Sequence, residues 1–297
     1  MTTSDRVLSV LGLFTLEHPE WTVEDAASEL NLAISTAYRY FRSLTSAGLL
    51  VALATGRYVL GPAIIQYDRQ IRLYDPLTKA AQPIMKRLTE QLPAHAVALL
   101  CRLFRSQVMC VHQESRERPD FAISYERGRP MPLFRGAASK IILAYMPLRS
   151  VKALYEEHAN KFAQANLGRD WEEAKERLRA LRTAGCSVTK GEIDPGMCGI
   201  SVPILEGTGT VTGSLSTVIP AHQLEPDLLA DVSTLLRKAA EEISWAMSVG
   251  TSSANVAAVA PPVKRGAARS GRQKTRRQTK TARRASGTAK RTKRVRG

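Results

Sequence analysis

The chain has 297 residues, 44% of them hydrophobic, and its 43 Lys and Arg outnumber 27 Asp and Glu for a formal net charge of +16. That length provides for about two domains, and its longest apolar runs, such as 141–146 ahead of Pro147, fall far short of the ~20 residues that span a bilayer. With no signal-peptide pattern at the N-terminus and no C-x-x-C spacing among Cys101, Cys110, Cys186 and Cys198, the expectation is a soluble cytoplasmic protein without disulfide framework, zinc knuckle or membrane partner.

Residues 5–17 carry Val7, Val10, Leu11 and Phe14 at helical spacing, with Ser4 as N-cap and Pro19 as the stop. Thr22 can cap a second short helix that buries Val23, Ala26, Ala27 and Leu30. A tight turn over 31–34 leads to a third helix ending at Gly48, a C-cap glycine. There Ala37, Phe41 and Leu44 repeat at four and three, which leaves Ser35, Thr36, Tyr38, Arg39, Arg42 and Ser43 on the other faces. Short strands over 50–53 and 57–60 follow, joined through Thr55 and Gly56. Three short helices and a hairpin in this order predict a winged helix-turn-helix, whose third helix enters the major groove while Arg57 at the hairpin lies along phosphates. A small helical domain that binds another protein has the same periodicity.

Helices are expected over 64–73 and 77–92, broken at Asp75-Pro76 because proline disfavours helix at the residue before it. Strands over 96–103 and 107–113 should pair antiparallel. Helices are expected over 136–145, 150–158 and 170–184, strands over 186–190, 200–205 and 211–218, and a last helix over 226–247. Elements mixed in this order predict an α+β fold with a mainly antiparallel sheet. Beyond Ser248 the chain turns Thr-, Ser-, Ala- and Pro-rich and then basic, the composition of a linker and a disordered tail. Residues 264–297 hold fifteen Lys and Arg and no acid, and the rest of the chain holds 28 basic against 27 acidic residues. Residues 1–62 alone are net −2. Local arginines would therefore do the reading, while the tail supplies long-range attraction to DNA and steep salt dependence.

The stretch Ser35-Thr36-Ala37-Tyr38-Arg39 through Leu44, its exit Ala47-Gly48-Leu49-Leu50, and the wing Gly56-Arg57-Tyr58-Val59-Leu60-Gly61 resemble the IclR family of bacterial transcriptional regulators. The likeness covers roughly residues 5–248. It implies a winged helix-turn-helix over 1–62, a linker helix over 63–76, and a GAF-like effector domain over 77–248, with the basic tail over 249–297. It also implies a small effector in a cup formed by the glycine-led helix start at Gly136 and Ala137, the loop 191–199 with Glu192 and Cys198, and the strand bearing Ser214 and Ser216. Free N–H groups at that helix start suit a carboxylate. Two departures bear on polarity: Ser139 stands where the family usually has glycine, and Thr189 where some acid-sensing members have Asp. Arg102, Arg127 and Arg135 are further candidates to pair with an anion.

No catalytic constellation stands out. Gly207, Gly209 and Gly213 join two strands and do not form a dinucleotide loop, no P-loop precedes Lys140, and the five histidines are isolated. Cys110 and His112 alternate on a strand, which does not give a nucleophile–base geometry. The expected protein is thus no enzyme and needs no cofactor or metal. It is a sequence-specific regulator, homodimeric or homotetrameric, with operator DNA and a small organic-acid effector as partners. Two other readings remain: a nucleoid-type architectural protein driven by the tail, and an enzyme acting on a small carboxylic acid.

Overall fold

Thr2, ahead of Ser4, opens the first helix. Its hydroxyl accepts the Asp5 backbone N–H, and the Asp5 carboxylate accepts the Thr2 N–H, a reciprocal capping box. The computed structural model that shows this describes residues 2–119, 121 and 123–258. Helix α1 (Thr3–Leu11) stops at Gly12 and does not reach Pro19, because the Trp21 indole N–H takes the Leu13 carbonyl at 2.9 Å and holds the chain out of the helix. Thr22 caps α2 (Val23–Glu29) as expected, and α3 (Ile34–Ser46) follows. Ala37, Tyr40, Phe41 and Leu44 of α3 pack with Val10, Val23, Ala26, Ala27 and Leu50 in one apolar core. Strands β1 (Leu50–Ala52) and β2 (Tyr58–Leu60) form the antiparallel wing. At Gly61 a Cβ would collide with the Gly48 carbonyl oxygen, so only glycine lets the wing exit cross the end of α3.

Helices α4 (Ala63–Tyr74) and α5 (Pro76–Gln91) meet at Asp75, whose extended backbone and side chain cap α5 through the Thr78 N–H. No residue of α4 is buried. Strands β3 (Val97–Phe104), β4 (Gln107–Ser115), β5 (Pro130–Pro132), β6 (Ser187–Lys190), β7 (Met197–Leu205) and β8 (Val211–Pro220) make one sheet in the order β5-β4-β3-β8-β7-β6. Every pairing is antiparallel. The edge strand β5 escapes sequence reading because its two prolines argue against a strand, and an edge is where prolines are tolerated.

Helices α5 and α9 (Pro226–Ala258) cover one face of the sheet, with Leu77, Met85, Leu236 and Ile243 against Leu100, Ile200 and Leu215. Helices α6 (Ala137–Tyr145), α7 (Leu148–Gln164) and α8 (Trp171–Ala184) cover the other, with Ile141, Leu143, Phe162 and Leu178 near Leu99, Cys101 and Val108. Helix α7 is longer than expected and kinks at His158, where φ is −135°. Helix α9 continues past Met247 to Ala258. Its last residues overlap the start of the tail expected over 249–297, and the first proline that could stop the helix is Pro261. The basic residues 264–297, and the expectation of disorder there, lie outside the described residues. Among the described residues no helix is long and apolar enough to cross a membrane.

Candidate functional site

On α3 the buried residues take one side, and the opposite side faces solvent as the spacing predicts. Ser35, Tyr38, Arg39, Arg42 and Ser43 are exposed, and Thr36 is half-buried. The Tyr38 hydroxyl donates to Glu24 Oε1 at 2.8 Å, and this hydrogen bond to a carboxylate raises the phenol pKa. Arg39 and Arg42 have no ion pair among the described residues. A groove of about 670 Å³ runs between this helix and the wing, lined by Tyr38, Arg39, Arg42, Thr45 and Ser46 on one side and Ala52 and Tyr58 on the other. Arg57 is not free: its Nη1 lies 2.8 Å from Glu20 Oε1. A pair this exposed contributes about 0–1 kcal/mol, so a phosphate can replace Glu20.

The second site lies at the start of α6. Gly136, its N-cap, has φ +82°, and a Cβ there would stand 3.0–3.2 Å from Ile193 and Tyr125. The Gly136 N–H donates to Glu192 Oε2 at 2.9 Å. One turn on, Lys140 is only 7% exposed, and its ammonium donates to Glu192 Oε1 at 2.5 Å and to the Ala165 carbonyl at 2.9 Å. Arg135 donates to the Glu192 backbone carbonyl. Beneath this cluster is a cavity of about 40 Å³ walled by Gly136, Ala137, Glu192, Ile193, Thr189 and Gly199, among others, over Leu99, Ser216 and Val218. That is room for about two waters.

The sheet face under α6 is unusually hydroxylic. The Ser201 and Ser216 hydroxyls lie 2.7 Å apart, and Tyr125 meets Ser139 of α6 at 2.8 Å. Burial is the main reason that the Tyr125 phenol pKa is raised. Ser187 and Ser214 are fully buried with hydroxyls that lack a partner among the described residues.

Of the residues expected in the cup, the structure brings Gly136, Ala137, Glu192 and Ser216 together. Ser214 is one step further along the same face of β8 and does not line the cavity. The Cys198 side chain is on the opposite face, in the core under α5 and α9. Alternation along β7 sends residues 198, 200, 202 and 204 to that core, and Met197 and Gly199 wall the cavity in place of Cys198. Lys140 and Tyr125 were missed. For Lys140 there was a signal: it is the one charged residue in the apolar helix AASKIILAY.

None of the three arginines named as anion partners lines the cavity: Arg135 is held by the Glu192 backbone carbonyl, and the other two are engaged elsewhere. Arg102 pairs with Asp75 at 2.7 Å. Arg127 pairs with Asp68 of α4 at 2.5 Å and donates to the Val111 carbonyl at 2.7 Å. Hydrogen bonding to Arg127, then to Arg72, holds the Asp68 carboxyl below the usual range. Three residues before Arg127, the Ser124 backbone N–H and hydroxyl donate to Asp194 of the cavity loop at 2.9 and 2.5 Å. The Cys110 thiol donates to the His112 carbonyl and not to its ring, which meets Glu114 at 2.9 Å. A hydrogen bond with Cys110, and burial, push the Cys101 thiol pKa up, the reverse of an activated nucleophile.

Known proteins place this geometry in context. Residues 3–53 match the IclR helix-turn-helix domain and residues 74–245 match the bacterial transcriptional regulator IclR C-terminal domain. The HTH-type transcriptional regulator KipR of Bacillus subtilis is 24% identical over 80% of this chain and 93% of its own length. The Pca regulon regulatory protein of Pseudomonas putida is 23% identical over 73% of each chain. An IclR transcriptional regulator from Alicyclobacillus acidocaldarius superposes with a TM-score of 0.68 at 21% identity, covering 82% of this chain and 98% of that one. An IclR homolog from Microbacterium hydrocarbonoxydans, solved in complex with 4-hydroxybenzoate, superposes at 0.64 and 21% identity over 84% of this chain and all of that one. With its winged helix and its C-terminal domain each matching a model of that family, the chain belongs to the IclR family of DNA-binding transcriptional regulators, whose C-terminal domain binds small-molecule effectors.

Proposed function

We propose that this regulator reads its operator with Ser35, Thr36, Tyr38 and Arg39 and responds to a small organic acid bound under the start of α6. Arg39 carries the main discrimination, since its guanidinium fork suits the O6 and N7 of guanine. Arg42 and Arg57 hold phosphates, Arg57 after exchanging Glu20 for the backbone. Two reading heads fit a palindromic operator with half-sites one or more helical turns apart. Ile64, Tyr67, Ile71 and Tyr74 form a stripe along α4 that is largely exposed, and this supports pairing with a second copy.

The observation that carries the acid reading is that Glu192, a wall of a cavity with a hydroxylic floor, ties the Gly136 N–H and the buried Lys140 ammonium to a carboxylate. Gly136, Ala137, Thr189 and Ser216 are the contacts for the effector. The relative solved with 4-hydroxybenzoate supports an acid with an apolar body. The link from Asp194 through Ser124 and Arg127 to Asp68 gives the cavity loop a physical route to α4. A ligand switches the regulator only if it binds its two arrangements with different affinity.

The test is to select operator sequences with the full-length protein from random duplex DNA, then to measure operator affinity across a panel of small organic acids. An acid that raises the melting temperature and shifts operator affinity supports the reading. If no acid moves operator affinity, the acid switch falls. If operator and random DNA bind alike, the architectural alternative replaces it.

A further inference from the structure

The side chain of Glu192 is itself a carboxylate held at the start of α6. Its two oxygens take two donors there, the Gly136 N–H at 2.9 Å and the Lys140 ammonium at 2.5 Å. Lys140 is nearly enclosed, and an ammonium stripped of its counter-charge in such a place is strongly disfavoured. Whatever removes Glu192 must therefore bring a negative charge of its own. The remaining space, about 40 Å³, is far below the ~300–1,000 Å³ of ordinary ligand pockets. Glu192 and Ile193, adjacent on the cavity loop, are two of the residues that close it. The Glu192 side chain is 28% exposed, so it has a way out to water.

We infer that Glu192 is a built-in occupant of the effector's anion position, and that a small carboxylic acid binds by displacing its carboxylate from Gly136 and Lys140. This rests on the effector reading above and adds how the site is kept shut. The exchange is neutral in charge: one carboxylate replaces another on Lys140, and the displaced one becomes hydrated. Neutral analogues of the acid gain nothing, because they cannot satisfy the ammonium. A tethered competitor acts at an effective concentration on the order of millimolar, so Glu192 sets the acid concentration at which the regulator responds. Its departure frees Ile193 to open the cavity. It also moves the loop bearing Asp194, which is bonded to Ser124, three residues ahead of the clasp between Arg127 and α4.

Calorimetric titration of the full-length protein with acetate, pyruvate and benzoate, using acetamide and benzamide as neutral controls, tests the displacement. Glu192→Ala should bind at least one acid about tenfold more tightly than wild type, with the amides unchanged. Glu192→Gln keeps the shape and the acceptor for Gly136 and drops the charge. It should gain in the same direction by less, and it serves if the alanine variant does not fold. Acid binding by the variants alone also supports displacement. Equal or weaker acid binding by the variants overturns it and leaves the cavity as the effector site. An equal gain for amides and acids overturns it too, since added room would then explain the gain. No acid bound by any of the three proteins overturns both this inference and the effector reading.

Discussion

The winged helix and the layer beneath α6 use polar side chains in opposite ways. In the first, the core is apolar, and Ser35, Tyr38, Arg39 and Arg42 stand in solvent on the far side of α3. In the second, Ser139, Lys140, Ser201, Ser214 and Ser216 are buried between helix and sheet. A surface built for a large polyanion can stay hydrated until its partner arrives. A cavity for a small ligand must satisfy most of its polar groups in the meantime, and Glu192 and the paired hydroxyls of Ser201 with Ser216 and Tyr125 with Ser139 do so here, with Ser187 and Ser214 left over. The difference teaches that function on the winged helix is separable from its stability, while function under α6 is not.

The largest expected effect tests that separation from the inside. Phe41→Ala should cost about 3–5 kcal/mol in the stability of the winged helix, seen as a lowered thermal transition, whereas Arg39→Ala should leave the transition in place. Next in size, Arg39→Ala should reduce discrimination between operator and random duplex by about 1–3 kcal/mol, measured by competition binding. Equal losses on both DNAs would remove Arg39 from base reading. Deleting residues 264–297 should flatten the slope of log affinity against log salt by about 0.9 for each phosphate the tail neutralises. An unchanged slope would mean that the tail is idle.

Arg127→Ala sharpens the comparison at the junction. It should leave acid affinity and acid-free operator affinity within about twofold, while reducing the coupling between them, typically 1–3 kcal/mol in allosteric proteins. Full coupling in this variant would exclude the clasp as the route. The smallest effect belongs to pH. The folded-state pKa of Asp68 is depressed, so its contribution to stability is present above the unfolded value of 3.8 and is lost as pH falls through the folded value. Asp68→Asn should remove that part of the acid dependence and leave stability at neutral pH only slightly lowered.

How much could be read in advance follows from where the information lies. Residues 34–46 carry a single helical period, so Ala37, Phe41 and Leu44 mark the buried side and the reading face follows by subtraction. Asp75-Pro76 marks the break between α4 and α5 as plainly. The resemblance led to Gly136, Ala137, Glu192 and Ser216, which share one cavity, and also to Cys198, which strand alternation turns away from it. Lys140 meets Glu192 across 52 positions of sequence, and Arg127 meets Asp68 across 59. No local pattern encodes either pairing.

By itself, the order of residues determined the kinds of element, the outward face of α3 and the placement of positive charge, because periodicity, caps and composition act over a few neighbours. Only the tertiary structure decided which side of the sheet each strand residue serves, which carboxylate neutralises the ammonium inside α6, and how the cavity loop reaches the linker helix. Those outcomes depend on strand register and on segments far apart in the chain, and there a one-residue shift turns a side chain from cavity to core.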